Sequence, residues 1–199
     1  MNETAVYVAA IPNTDVIGEV YPPERQADID RCSNPKVKKE KYFVWKLLEY
    51  VIADNFGEKI ENISFEKQQN GKWVADKFFF SLSHSDSVVA VAVSGKSVGV
   101  DVETIRKHRD GLESYILTEQ EMAELCRLDR ADSWEYIIKL WTQKESIFKT
   151  LDRKTFEPTK IETLNYPVRT EKIELPTGKY MLSVCAECVD DVPFKVYNF

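Results

Sequence analysis

The sequence predicts an α+β protein of two similar lobes, each a long helix packed on an antiparallel meander, with the lobes dividing near Gly95. Three observations predict it. The element order reads strand, helix, strands, then helix, strands. Both long helices are followed by near-matching tetrapeptides, "IENI" (Ile60–Ile63) and "IETL" (Ile161–Leu164), each ahead of further strands. No Gly/Ser-rich linker or low-complexity stretch separates the halves, so residues 1–95 and 96–199 are expected to pack tightly as one unit.

The first strand is Ala5 to Ile11, stopped by Pro12. "YPPERQADIDRCSNP" then reads as a loop and a short helix. A long helix follows from about Lys36 to Asn55, because Val37, Tyr42 or Phe43, Trp45, Leu48, Val51 and Ile52 keep helical spacing. Gly57 is placed to end it in a left-handed cap. Strands are expected over Ile63–Lys67, Phe78–Leu82, Val88–Val93 and Val98–Glu103, with "QNGKW" (Gln69–Trp73) as a hairpin turn. "LTEQEMAELC" carries Thr118 and, three residues on, Glu121, the pattern of a capping box. "DRADSWEYIIKLWTQKESIFKTLD" brings the second long helix, with Asp132 or Ser133 as its cap. Strands return around Ile173, over Lys179–Cys188 and over Phe194–Tyr197.

Composition bounds the function. The 199 residues are 43% hydrophobic and 12% aromatic, which supports a sizeable core. A net charge of −6 argues against general nucleic-acid binding. No apolar run is long enough to span a bilayer, so no membrane partner is expected. The start, "MNETAVYVAAIPNTD", lacks the basic and apolar regions of a secretory signal. Four scattered cysteines, Cys32, Cys126, Cys185 and Cys188, do not make a disulfide framework. "CAEC" (Cys185–Cys188) has no second ligand pair for zinc and lies in a strand-like run, so it reads as structural. The expected location is cytoplasmic.

The chemistry centres on "VGVDVE" (Val98–Glu103). Its alternation sends three valines to one face and sets Asp101 and Glu103 side by side on the other. Like charges that close repel unless one is protonated or a cation lies between them. On the second helix, Ile138, Trp141, Glu145 and Phe148 share an apolar stripe, where a carboxylate is costly unless paired, protonated or metal-bound. Glu145 and Lys149 read either as an i,i+4 ion pair or, with Asp101 and Glu103, as an all-oxygen site suited to Mg²⁺ with a lysine for a phosphate. Asp101 and Glu103 alone also fit a solvated strand end. In "FFFSLSHSDS" (Phe78–Ser87), His84 follows a strand in a turn rich in serine donors. It reads there as a hydrogen-bonded turn histidine, and no nucleophile elbow supports a Ser-His-Asp triad. "KVKKEK" (Lys36–Lys41) puts cations at a helix start, against the dipole, which favours either solvent or an anion. "TIRKHRD" adds Arg106, Lys107 and Arg109 just behind the carboxylates.

The ordered set "FSLSHSDSVVAVAVSGKSVGVDVE" and, some forty residues on, "WTQKESIFK" resembles the 4'-phosphopantetheinyl transferase superfamily, in its surfactin-synthetase-activating type. The resemblance runs from about Lys38 to Lys149. It implies a pseudo-dimer of two α/β lobes with coenzyme A in the cleft between them, and a monomer. The implied reaction moves phosphopantetheine from coenzyme A to a serine of an apo acyl carrier protein, or of a peptidyl or polyketide carrier domain, releasing adenosine 3',5'-bisphosphate. Asp101, Glu103 and Glu145 would bind Mg²⁺ (with Mn²⁺ the alternative). Glu145 would also be the base, and Lys149 would hold a phosphate. Ser83 and His84 would contact the phosphate end of the coenzyme, with Lys72, Lys39 and Lys46 as further contacts. Lys144 points off the stripe and receives no chemistry. Two departures stand out: Gly71-Lys72 is followed by Trp73 where the family often has proline, and "KTLDRKTF" (Lys149–Phe156) has no glycine where the family often does. Arg106, Lys107 and Arg109 could steer an acidic carrier. The competing readings are a non-catalytic module that binds coenzyme A or carrier proteins, and a Mg²⁺-dependent phosphohydrolase.

Overall fold

The structure is a computed structural model and describes residues 4–69, 71–106, 111–151 and 153–199, without the side chains of 130 and 131. It is α+β. Strands β1 (Ala5–Ala10), β4 (Phe79–Ser85), β5 (Val88–Ser94) and β9 (Phe194–Tyr197) form one sheet in the order β4-β5-β1-β9. Strands β6 (Val98–Thr104), β7 (Val168–Leu175) and β8 (Gly178–Ala186) form a second, ordered β6-β8-β7. β2 (Phe65–Lys67) and β3 (Trp73–Ala75) make a small hairpin. All pairings are antiparallel except β1 with β9. Helices α1 (Pro23–Asp30) and α2 (Pro35–Phe56) precede the first meander, and α3 (Leu112–Ile116), α4 (Glu119–Leu125) and α5 (Arg130–Thr150) follow β6.

The hydrophobic pattern explains the layering. Tyr7, Ala9, Phe80, Val89 and Val91 turn one face of the first sheet to Phe43, Leu47, Leu48 and Val51 of α2. Its other face, with Val6, Val8, Ala90 and Ala92, meets Val98, Val100, Val102, Leu182 and Val184 of the second sheet. The second sheet's outer face carries α5. The order is therefore helix, sheet, sheet, helix. β5 is buried along its whole length, which is why "VVAVAVS" is apolar without alternation. Small valines and alanines fill the layer between the sheets.

The local signals behave as chemistry requires. Gly57 caps α2 at φ 63°. Asn34 caps its start by accepting from the Lys36 and Val37 amides. Thr118 and Glu121 form the capping box of α4. Three expectations are corrected. The first strand after α2 is only Phe65–Lys67, because Ile60–Asn62 coil into a 3₁₀ turn. α5 is capped at Asp129, whose carbonyl accepts the Asp132 and Ser133 amides, so both expected caps lie inside the first turn. β4 runs on to Ser85, so His84 belongs to the strand and the turn begins at Asp86, with φ 52°. Among the described residues, no helix is long and apolar enough to cross a membrane. Cys185 is buried on β8 and Cys188 is exposed beyond it.

Candidate functional site

The edge strands of the two sheets, β4 and β6, lie side by side. Serine hydroxyls stitch them. Ser81 Oγ accepts the Val100 amide at 3.0 Å and Ser83 Oγ accepts the Val102 amide at 3.3 Å. Side chains thus satisfy edge amides that a neighbouring strand would otherwise take. The same stripe orients the carboxylates: Ser83 Oγ donates to Asp101 Oδ1 at 2.7 Å and Ser85 Oγ donates to Glu103 Oε2 at 2.6 Å.

α5 crosses β6 at Gly99. A Cβ there would stand 1.9 Å from the Ser146 carbonyl oxygen and 3.1 Å from Lys149 Cβ. Only glycine lets helix and strand approach this closely, and the approach delivers Glu145 and Lys149 to the carboxylates. Lys149 Nζ donates to Asp101 Oδ1 at 2.8 Å and to the Val100 carbonyl at 2.9 Å. Its ion pair is therefore with β6, across the helix–sheet contact, rather than with Glu145 along its own helix.

Asp101 is buried, and its Oδ2 has no hydrogen-bond partner. Burial, the Asp101 charge and the Glu145 charge push Glu103 up to about 7, against the pull of Ser85 and Lys149. Burial and the Asp101 charge push Glu145 up to about 6, against the pull of Lys149. The three carboxylates thus stand within each other's field. Among the described residues, no three His, Cys, Asp or Glu side chains close into a group that could hold a metal ion. Asp101 Oδ1 is instead held by Ser83 and Lys149.

His84 faces away from Ser83, as neighbours on a strand must. Its Nδ1 lies 3.0 Å from Glu40 Oε2 on α2. Burial and then the charges of Lys149, Arg25 and Lys41 hold its pKa down at about 4, so it is neutral at pH 7. Burial raises Glu40 in turn. Lys72 Nζ donates to the Lys149 carbonyl at 3.0 Å, near the C-terminus of α5, where a cation suits the dipole. Lys39 is half-buried on α2, and Lys46 pairs with Glu49 one turn on. Among the described residues, no contact joins Lys39 or Lys46 to the Asp101 corner. Asp86 gathers Lys36, Thr104 Oγ1 and Arg106, the last at 2.8 Å, tying the start of α2 to the end of β6. Lys107 and Arg109 lie outside the described residues.

Beside Lys149 opens a cavity of about 400 Å³. Phe80, Leu82 and Phe148 line it, and Lys72, Arg153 and Lys154 add charge. Sequence reasoning missed Arg153 and Lys154, Gly99, and the roles of Ser81 and Ser85. The alternate serines of "SLSHS" were the available signal for the stripe.

The chain matches the model of the 4'-phosphopantetheinyl transferase superfamily over residues 97–196, which holds both β6 and α5. It is 30% identical over 106 residues to the 4'-phosphopantetheinyl transferase psf-1 of Bacillus pumilus, a match covering 52% of this chain and 46% of that protein. It is 32% identical over 99 residues to the 4'-phosphopantetheinyl transferase gsp of Aneurinibacillus migulanus, covering 49% of this chain and 42% of that protein. The chain therefore spans about half the length of these two relatives. A 4'-phosphopantetheinyl transferase of Bacillus subtilis is 24% identical over 174 residues, covering 76% of this chain and 77% of that protein.

Proposed function

The chain belongs to the 4'-phosphopantetheinyl transferase superfamily, and we propose that it moves phosphopantetheine from coenzyme A to a serine hydroxyl of an apo carrier protein. The observation that carries this reading is the corner where β4, β6 and α5 meet. It holds a buried Asp101 with one unpartnered oxygen, two further carboxylates, and Lys149 bound at 2.8 Å.

The three carboxylates do not close into a ligand group as they stand, with Asp101 Oδ1 held by Ser83 and Lys149. The donor types nevertheless suit a hard divalent cation: oxygen ligands only, an orphaned Asp101 Oδ2, and carboxylates that burden each other with like charge. Asp101, Glu103 and Glu145 would hold Mg²⁺, or Mn²⁺ in its place. When bound, it would neutralise charge on the pyrophosphate oxygens.

The chain's own residues do the rest. Glu145, with its pKa raised to about 6, is a carboxylate at neutral pH and still basic enough to take the proton from the carrier serine. The serine oxygen then bonds to the phosphorus that bears pantetheine. The bridging P–O bond breaks, and its electron pair leaves with adenosine 3',5'-bisphosphate. Lys149 places a positive charge beside the reacting phosphate, where charge spreads in the transition state. Lys72 and Ser83 would meet the coenzyme's phosphates on the β6 side of β4, and His84 on its α2 side beside Glu40, with Lys39 and Lys46 further along α2.

We read the two helix-on-sheet halves, 1–95 and 96–199, the second lending β9 to the sheet of the first, as a pseudo-dimer forming one enzyme unit, with coenzyme A in the cleft. The substrate partner is an acyl carrier protein or a peptidyl or polyketide carrier domain. The protein would act as a cytoplasmic monomer.

The test is chromatography of the nucleotide product. Adenosine 3',5'-bisphosphate should form only when an apo carrier is supplied, and not with a carrier whose acceptor serine is changed to alanine. Release without any carrier would support hydrolysis, and binding of coenzyme A without release would support a binding module.

A further inference from the structure

Lys144 takes no part in the reaction above, yet it is the most deeply buried charged side chain among the described residues, at 0% exposure. Its Nζ donates to Glu121 Oε2 at 2.6 Å and to the Ile116 carbonyl at 2.9 Å. Glu121 Oε2 also accepts the Thr118 amide at 2.8 Å. One carboxylate therefore closes the cap of α4 and anchors α5.

A buried ion pair adds little net stability over an apolar pair of the same shape, so the worth of this one is sought in the geometry it holds. Lys144 and Glu145 are consecutive on α5, so their side chains leave the axis about 100° apart. Lys144 points to the α3–α4 junction, while Glu145 feels the Asp101 charge on β6. Fixing the first therefore fixes the roll of the helix and the place of the second. The Gly99 contact sets how near α5 comes to β6, the Thr142–Ser183 and Gln143–Thr170 bonds tie its middle to β8 and β7, and Lys144 fixes it on the α3–α4 side.

We infer that Lys144 is a positioning residue: held by Glu121 and the Ile116 carbonyl, it sets the roll of α5 that aims Glu145 at Asp101 and Glu103. This rests on the reading of Glu145 given above.

The experiment compares Lys144→Met, Glu121→Gln and the double variant with the parent chain. It reads Mn²⁺ affinity by electron paramagnetic resonance, thermal midpoint, and kcat and KM for coenzyme A. Lys144→Met should weaken Mn²⁺ binding and lower kcat by about tenfold each, as outer-shell changes do, with the KM for coenzyme A nearly unchanged. The thermal midpoint should fall, because Glu121 loses its buried cation, so both readouts are taken at a temperature where the variant is folded. The double variant should be no worse than Lys144→Met, since both act through one contact. A Lys144→Met protein with parental Mn²⁺ affinity and kcat would overturn the inference. If Lys144→Met does not fold, Glu121→Gln, which keeps an acceptor for the cap, is judged by the same two readouts. A parent chain without turnover would count against the transferase reading, and the Mn²⁺ affinities would then decide on Lys144.

Discussion

Gly99 lies directly against the Ser146 carbonyl: a Cβ on Gly99 would stand 1.9 Å from that oxygen. The contact joins β6, which carries Asp101 and Glu103, to α5, which carries Glu145 and Lys149. A single methyl group should therefore push apart the two halves of the site.

Gly99→Ala is expected to cost about 1–3 kcal/mol or more, since the neighbour is helix backbone rather than a yielding side chain. Thermal unfolding measures the cost. Transfer should fall further than the lost stability explains, and full activity at a temperature where the variant is folded would show that the close approach is not needed.

Ser83 joins β4 to β6 and to one carboxylate through a single oxygen. Ser83→Ala frees the Val102 amide and one hydrogen bond to Asp101. The expected loss is about 1–3 kcal/mol. Denaturant unfolding should register it, together with a lower kcat. A variant as stable and active as the parent would remove the stitching role.

The raised carboxylates set a pH dependence. Glu103 and Glu145 have folded pKa values of about 7 and about 6, against an ordinary 4.5. The folded chain then keeps protons that the unfolded chain releases. Their contribution to stability is whole below the unfolded pKa and is lost as pH rises through the folded values. His84, held down at about 4, acts in the opposite sense. The comparison of parent with Glu103→Gln isolates the carboxylate. In EDTA, the parent should lose thermal stability relative to Glu103→Gln between about pH 5 and about pH 8. Parallel curves would contradict the assignment.

Lys149 pairs with Asp101 and binds the Val100 carbonyl. Lys149→Met leaves Asp101 buried without its cation, at a cost of about 3–5 kcal/mol if the pair behaves as fully buried, and less for its partial exposure. Added Mg²⁺ should restore more thermal stability to this variant than to the parent, because Asp101 is freed. Equal shifts on adding Mg²⁺ would speak against Asp101 as a ligand.

Much of this was legible in the sequence where the cause is local. Gly57 and the Thr118–Glu121 box announce helix ends because the groups that satisfy the end carbonyls and the end amides, respectively, lie within a turn. "VGVDVE" reads as a strand whose carboxylates share a face, because alternation fixes faces. The remainder depends on neighbours distant in sequence. The stripe of Ser81, Ser83 and Ser85 has meaning only once β4 and β6 meet at the edges of two sheets. Lys144 looks idle on a helical wheel because the wheel does not show that α3 and α4 cover that side. His84 was expected in a turn, but the β4–β5 pairing carries the strand to Ser85. β9 follows the second sheet in sequence yet returns to pair with β1, which no local pattern encodes.

The most direct test of the central claim is the intact mass of an apo acyl carrier protein after incubation with this protein, coenzyme A and Mg²⁺. Glu145→Ala and EDTA reactions run alongside, and circular dichroism establishes that the variant is folded. The account predicts a gain of one phosphopantetheine group that is absent from both control reactions. A gain that persists with folded Glu145→Ala, or no gain on acyl, peptidyl and polyketide carriers alike, would contradict it.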